Sequence, residues 1–202
     1  GAVGAVRLRP RVGERGAGII KEGGNDAICP RYFIRKAVRE KGVVLPEGYT
    51  ELLYYDLNLK KKPENTNGIL RIVNNNLEKN SMSWNFNIIT ALSHAFVYNP
   101  KEAYKAFQKY FTVNKKRFEY EGSSYSGKSA GQILMEHYLS LFDRENNEKF
   151  FDKMAEAKVF SQKEADELKR RYLEARKGNN DKAVSEIFDE IGKRLDKMWG
   201  QE

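Results

Sequence analysis

One segment of the sequence has the residue types and spacing of a nucleotide-binding loop. Residues 122–129 read GSSYSGKS, which fits the G-x-x-x-x-G-K-S pattern of a phosphate-binding P-loop. In such a loop the backbone amides and the next helix cradle phosphates, the lysine meets the β and γ oxygens, and the serine meets Mg²⁺. The candidate phosphate-binding residues are Gly122, Gly127, Lys128 and Ser129.

The residues around this segment fit a P-loop poorly. A P-loop follows a buried parallel strand, but residues 115–121 read KKRFEYE and are too charged for the centre of such a sheet. No apolar strand ending in a metal-binding Asp follows the segment. We favour the alternative, a polar loop in which Ser126 or Ser129 caps the amphipathic helix that comes after it.

A second candidate for chemistry is a thiol site. Cys29 is the one cysteine, and it directly precedes a predicted helix, where the helix dipole lowers a thiol pKa. His94 is the histidine that would act as its base in a thiol hydrolase. A cysteine beside a helix is more often a packing residue, so catalysis by this pair is an alternative and not the main prediction.

Metal and cofactor sites lack a recognisable pattern. His94 and His137 have no acidic or histidine neighbour at a ligand spacing, and a single cysteine excludes a cysteine-based zinc finger or an internal disulfide. We therefore predict no metal, no cofactor and no assigned catalytic residue.

The start of the sequence is rich in Gly and Arg. We expect residues 1–29 to form an extended arm. Arg7, Arg9 and Arg11 occupy every second position in it, so their side chains would point to one side of an extended chain. Arginine binds phosphate in a bidentate manner and stacks on bases, so the arm suits RNA or an acidic protein groove. The candidate partner-binding residues of the arm are Arg7, Arg9, Arg11 and Arg15.

Further cations follow the arm. Residues 30–41 are predicted to form a helix with an apolar face and an opposite basic face that carries Arg31, Arg35, Lys36 and Arg39. Residues 60–62 and 115–117 form two more basic clusters, and the second adjoins Phe118 and Tyr120. Aromatic and cationic side chains in alternation suit an RNA surface, although no RNA-binding module signature is present.

The charge balance favours acidic partners. The net charge is +8, with 13 Lys and Arg against 7 Asp and Glu in residues 1–62, but 14 against 15 in residues 141–202. No apolar run is long enough to cross a bilayer, so we predict no transmembrane segment, while peripheral membrane contact stays open. Other protein subunits are the expected partners, with RNA as an alternative.

Periodicity predicts a mainly α protein, with α+β as the alternative. A helical, bundle-like body should extend from about residue 84 to 199, after at most a small β-hairpin in 43–75. We expect one domain over 30–202, ending in an antiparallel helical hairpin at about 161–199. The capping box at Ser161–Glu164 marks the start of that hairpin.

These observations predict a function in assembly. We expect a non-catalytic, basic subunit or scaffold that contacts acidic protein or RNA through its arm and basic helix. A nucleotide-binding enzyme using 122–129 and a thiol-dependent effector or toxin using Cys29 are the alternatives. A processed Gly1 and a Lys-free, Arg-rich start favour an organellar, mitochondrial matrix location, although a residual tag also begins with Gly.

Overall fold

The protein is described from a computed structural model. The structure describes residues 19–22, 25–28, 48–78, 82–119, 124–141 and 144–200. The chain divides into two units, Gly1–Ile72 and Val73–Glu202.

The described residues are mainly helical, which confirms the predicted fold class. Two short strands, β1 (Ile19–Glu22) and β2 (Asn25–Ile28), pair antiparallel with Ile19 opposite Ile28. The helices are α1 (Tyr49–Leu57), α2 (Asn65–Asn75), α3 (Met82–Ala95), α4 (Pro100–Val113), α5 (Lys115–Phe118), α6 (Ala130–Leu141), α7 (Arg144–Glu156), α8 (Gln162–Lys177) and α9 (Asp181–Trp199).

The sequence predicts at most a small β-hairpin within 43–75, and the described part of that range, 48–75, contains no strand. Helices α1 and α2 occupy most of that range, and the strands of the structure lie earlier, in β1 and β2. The aromatic and β-branched residues suggested strands, but Leu52, Ile69 and Ile72 are buried at positions that suit helical faces. Gly48, at the N-cap of α1, has a φ of +81°, a left-handed conformation that favours glycine.

Helix α6 is central to the second unit, because it packs against α3, α4 and α9. Helix α9 also contacts α4 and α8, and α8 contacts α7. The stripe that α9 buries follows a spacing of three and four residues. The aromatic side chains at the centre of this core are Phe96, Tyr138, Phe150, Phe151, Tyr172 and Phe188.

Helices α8 and α9 run antiparallel across a short turn. Ser161 and Glu164 form the predicted capping box at the start of α8, and Asn179 turns the chain with a φ of +53°. Arg171 of α8 lies 3.1 Å from the carboxylate of Glu190 on α9, so the two helices are linked by an ion pair as well as by their apolar faces.

The proposed domain boundary after residue 29 stays a prediction.

Helix α4 has a clear division between buried and exposed faces. Asn99 caps it by accepting the N–H of Glu102, and Pro100 occupies its first turn, as the sequence predicts. Its buried residues are Ala103, Tyr104, Ala106, Phe107, Tyr110 and Phe111. On the opposite side of α4, Lys101, Lys109 and Val113 are exposed, whereas Lys105 and Gln108 are half-buried.

Asn114 directs the chain from α4 into α5. This buried amide donates to the carbonyl oxygens of Leu77, at 2.5 Å, and Tyr110, at 2.9 Å. Phe118 at the end of α5 is buried, so Lys115, Lys116 and Arg117 are held on the surface beside α4.

None of the helices described is long and apolar enough to cross a membrane.

Candidate functional site

The segment that resembles a P-loop forms the cap of helix α6. The Ser129 hydroxyl accepts the N–H of Gln132 at 3.2 Å, and the Gln132 side-chain oxygen accepts the N–H of Ser129 at 3.0 Å. This reciprocal pair confirms the predicted capping role for Ser129. Gly127 has a φ of +76°, which explains the glycine in the turn that precedes the cap.

Lys128 is held by an acidic residue of the same helix. Its ammonium lies 2.6 Å from the Glu136 carboxylate, and the two side chains are 33% and 29% exposed. Upstream, residues 115–118 are helical, so no strand occupies that part of the approach to the loop. Gly122 lies outside the described residues, and phosphate binding by this segment stays a prediction.

The thiol pairing stays a prediction as well, because Cys29 lies outside the described residues. His94 is in the last turn of α3. The structure brings it near His137 of α6, whose Nε2 lies 2.9 Å from the Thr90 hydroxyl and whose ring meets the edge of Phe86. Burial lowers the pKa of His137, and the nearby His94 lowers it further.

These two histidines do not form a metal site with other residues that the structure describes. Across the described ranges, no group of three His, Cys, Asp or Glu side chains is placed to hold a metal ion. No sequence pattern associates His94 with His137, because they lie on different helices and are brought near each other by the packing of α3 on α6.

The predicted partner-binding arginines and lysine of the N-terminal region lie outside the described residues. They are Arg7, Arg9, Arg11, Arg15, Arg31, Arg35, Lys36 and Arg39. Their role in partner contact stays a prediction.

A row of cations lies on the outer side of α4 and continues onto α5. Lys101, Lys105 and Lys109 recur at every fourth position, about 6 Å apart along the helix axis, and all three lie away from the buried stripe. We call this surface the α4–α5 cationic face. Its members are Lys101, Lys105, Lys109, Lys115, Lys116 and Arg117.

The charge of this face is one-sided. Between residues 100 and 119 the six cations are accompanied by two carboxylates, Glu102 and Glu119. Among the salt bridges seen in the described ranges, none that we find involves Lys109, Lys115 or Lys116. The face therefore presents a local positive potential to solvent.

The α8–α9 hairpin has a similar density of charge but a different arrangement. Its cations alternate with carboxylates, so ion pairs form within α8 and between the two helices. The pairs are Arg170–Glu167, Arg170–Glu174, Arg171–Glu190, Arg176–Asp181 and Arg194–Glu164. This contrast marks the α4–α5 face as the distinctive charged surface of the second unit's described part.

One part of the sequence-based interpretation of this region is wrong. The sequence pattern predicts that Phe118 contributes to a stacking surface beside the cations, but Phe118 is only 2% exposed and packs against Phe107, Phe111 and Tyr125. It therefore anchors α5 to the core and cannot stack on a base. Tyr120 lies outside the described residues.

The lysine row on α4 was missed in the sequence, although a signal for it exists. Lys101, Lys105 and Lys109 are four residues apart and fall opposite the apolar stripe of the same helix. A helical projection of 100–113 reveals this pattern once the helix has been assigned. Because these lysines are not consecutive, they are less apparent in the sequence than the cluster at 115–117.

An open cleft of about 340 Å³ lies between the facing sides of α8 and α9 near their connecting turn. Its charged lining residues, Arg171, Glu174 and Glu186, are accompanied by Asn180. Two of them already form ion pairs, Arg171 with Glu190 and Glu174 with Arg170. These ion pairs link the residues around the cleft within the hairpin.

Comparison with known proteins identifies no relative of this chain. No family matches it, and neither do any curated protein sequences or solved structures.

Proposed function

We propose that this chain is a non-catalytic, basic subunit of a larger macromolecular assembly. It contacts acidic protein or RNA through its cationic surfaces. The observation that carries this proposal is the α4–α5 cationic face, where five exposed cations and the half-buried Lys105 are accompanied by two carboxylates.

Local helix energetics support the proposal. Like charges at positions i and i+4 destabilise a helix by about 0.2 to 0.5 kcal/mol per pair, and α4 contains two such pairs, Lys101–Lys105 and Lys105–Lys109. On α8 the same spacing holds opposite charges, as in Arg170–Glu174. A bound polyanion would complement the positive charge of this face at Lys109, Lys115 and Lys116.

The N-terminal region adds further charge of the same sign. Residues 1–62 hold 13 cations against 7 carboxylates, including the arginines of the arm. In this proposal the arm and the basic residues at 31–39 form a second contact with the partner. Several weak electrostatic contacts on one chain act together and bind more tightly than any one of them.

The proposal is tested by sedimentation of the native chain in extracts of the cells that make it. At low salt we expect the chain to sediment well above its own 23.3 kDa, and to shift toward the free chain as salt rises. Sedimentation as the free chain at low salt would contradict the proposal.

A pair of charge variants gives the test a control. Lys109→Glu, Lys115→Glu and Lys116→Glu together should release the chain from the assembly at low salt. The matched variant changes three exposed lysines of the α8–α9 hairpin, Lys163, Lys182 and Lys193, to Glu. It has the same net charge and should remain in the assembly.

A further inference from the structure

We infer that the α4–α5 cationic face binds the phosphodiester backbone of a nucleic acid, without reading base sequence. This inference rests on the proposed function and names the chemical class of the partner. Three properties of the face favour a nucleic acid over an acidic protein: its cation type, its lack of apolar anchors and its regular spacing.

The cations of the face are mostly lysines. Five of the six are Lys and one is Arg. Lysine is depleted in protein–protein interfaces, whose cores favour aromatic residues, Met and Arg. Interfaces with nucleic acid are more polar and much more positively charged, and lysine binds phosphate as a point charge.

The face also lacks the apolar anchor that a protein partner would need. The large aromatic residues of α4 and α5 point into the core, and Phe107, Tyr110 and Phe118 are each at most 2% exposed. Val113, which is 50% exposed, is the large apolar side chain that this face presents. Protein interfaces draw most of their affinity from buried aromatic and arginine anchors, which this surface does not offer.

The same lack of exposed aromatic residues decides the mode of binding. Single-stranded nucleic acids are held by stacking of bases on aromatic rings, together with a basic groove. The described residues of α4 and α5 offer a row of cationic groups and no exposed aromatic ring. The face can therefore contact phosphates but is not built to hold bases by stacking.

The spacing of the lysines fits a regular array of negative charge. Successive lysines of α4 are about 6 Å apart along the axis, since four residues each rise about 1.5 Å. Phosphates of one duplex strand recur about every 3.4 Å along the duplex axis while the strand winds around it, so a straight row of lysines can meet a few phosphates at one crossing of the backbone. Lys115, Lys116 and Arg117 extend the row beyond the end of α4.

The test measures binding of the full chain to labelled oligonucleotides by fluorescence anisotropy. The probes are a duplex DNA, a duplex RNA and a single-stranded RNA, all short and of mixed sequence. We expect duplex binding with a Kd on the order of 1 to 100 μM near physiological salt, which is the range of backbone-only contacts. Shuffled duplex sequences should bind equally.

A matched pair of variants locates the binding. The first variant carries Lys109→Gln, Lys115→Gln and Lys116→Gln, and the second carries Lys163→Gln, Lys182→Gln and Lys193→Gln. The first should bind at least about tenfold more weakly. The slope of its log K against log salt should also be shallower by about 2 to 3, because each lost phosphate contact removes about 0.9 from that slope. The second should bind like the parent, and both should melt like the parent.

Three outcomes would overturn the inference. In the first, the α4–α5 variant keeps parental affinity, so another surface binds the duplex. In the second, the two variants weaken equally, so only net charge matters. In the third, poly-glutamate binds more tightly than a duplex of equal charge and competes with it. The third result would leave the proposed assembly function standing with an acidic protein partner, whereas no binding to any polyanion would remove both.

The probes also distinguish the two sources of a phosphodiester backbone. Equal affinity for duplex DNA and duplex RNA supports reading of phosphates alone. Tighter binding to RNA supports an additional contact with the 2′-hydroxyl. Preference for the single strand over both duplexes would contradict a purely electrostatic face, because it requires a stacking surface.

Discussion

Asp196 joins three helices through one carboxylate oxygen. Its Oδ1 accepts the Tyr104 hydroxyl at 2.7 Å and the Gly131 N–H at 2.9 Å, so α9 is tied to α4 and to the first turn of α6. A carboxylate at that position also complements the positive end of the α6 dipole. Burial raises the pKa of Tyr104 well above its ordinary value, and the hydrogen bond to Asp196 raises it further.

Removing the Tyr104 hydroxyl should weaken this junction. We expect Tyr104→Phe to lower the free energy of unfolding by about 1 to 3 kcal/mol, the range for hydrogen bonds to charged groups. Urea denaturation measures this, with Tyr98→Phe as the control because Tyr98 is 42% exposed and should change little. Equal stability of the two variants would show that the hydrogen bond is unimportant.

His137 should make stability depend on pH in the mildly acidic range. Its folded-state pKa lies below the ordinary 6.5, so the unfolded chain takes up a proton first as pH falls. Stability contributed by neutral His137 is thus complete above about pH 6.5 and declines from there until the folded-state pKa is reached. The lowered pKa values of Glu164 and Glu167 act only below about 4.5, outside this window.

The expected result is a fall in the free energy of unfolding between about pH 7 and 5 that is reduced in His137→Gln. NMR titration of the His137 ring should give a pKa below 6.5, moving upward in His94→Gln because His94 is one cause of the shift. A His137 pKa at or above 6.5 would contradict the structure.

Lys128 provides a test of the P-loop alternative. Because its ion pair with Glu136 is about one-third exposed, Lys128→Ala should cost less than about 1 kcal/mol of stability. We expect neither the parent nor this variant to bind Mg-ATP in isothermal titration calorimetry. Saturable ATP binding by the parent that is lost in Lys128→Ala would reinstate the P-loop interpretation.

At the scale of elements, helices α6 and α9 cross at two glycines. A Cβ placed on Gly131 would lie 2.0 Å from the carbonyl oxygen of Gly192, and one on Gly192 would lie 2.6 Å from the carbonyl carbon and oxygen of Gly131. The opposing atoms belong to the backbone, so they cannot move aside by a change of rotamer. Glycine is required at both positions because the two helix backbones touch there.

Gly131→Ala should therefore lower the free energy of unfolding by about 3 kcal/mol or more, since overpacking would force the two helices apart. Thermal and urea unfolding measure the effect. The control is Gly178→Ala, where the nearest atom is 3.6 Å from the added Cβ and no positive φ is needed. If Gly131→Ala is as stable as Gly178→Ala, the close crossing of α6 and α9 is wrong.

Several elements were predictable because local signals and tertiary packing agree. The caps at Asn99 and Ser161, and the stripe on α9, led directly to α4, α8 and α9. Helices α1 and α2 were missed because their Tyr, Ile and Val residues favour strands locally, although Ile69, Ile72 and Val73 recur at a helical spacing and are buried. The glycine crossing leaves no periodic trace, since it depends on two residues 61 positions apart.

The whole molecule carries its excess positive charge unevenly. Residues 141–202 balance 14 cations with 15 carboxylates, whereas the α4–α5 face has six cations and two carboxylates nearby. The sequence allowed the basic cluster at 115–117 to be recognised, because its members are consecutive. The contribution of Lys101, Lys105 and Lys109 required the orientation of α4, which only the buried stripe and the cap at Asn99 define.

The most direct test of the account is lysine labelling of the native assembly compared with the purified chain. Mass spectrometry would follow acetylation of two matched sets, Lys109, Lys115 and Lys116 on the face, and Lys163, Lys182 and Lys193 on the hairpin. We expect the first set to be protected in the assembly and the second to react equally in both states. Equal labelling of the first set in both states, or protection confined to the second, would contradict the account.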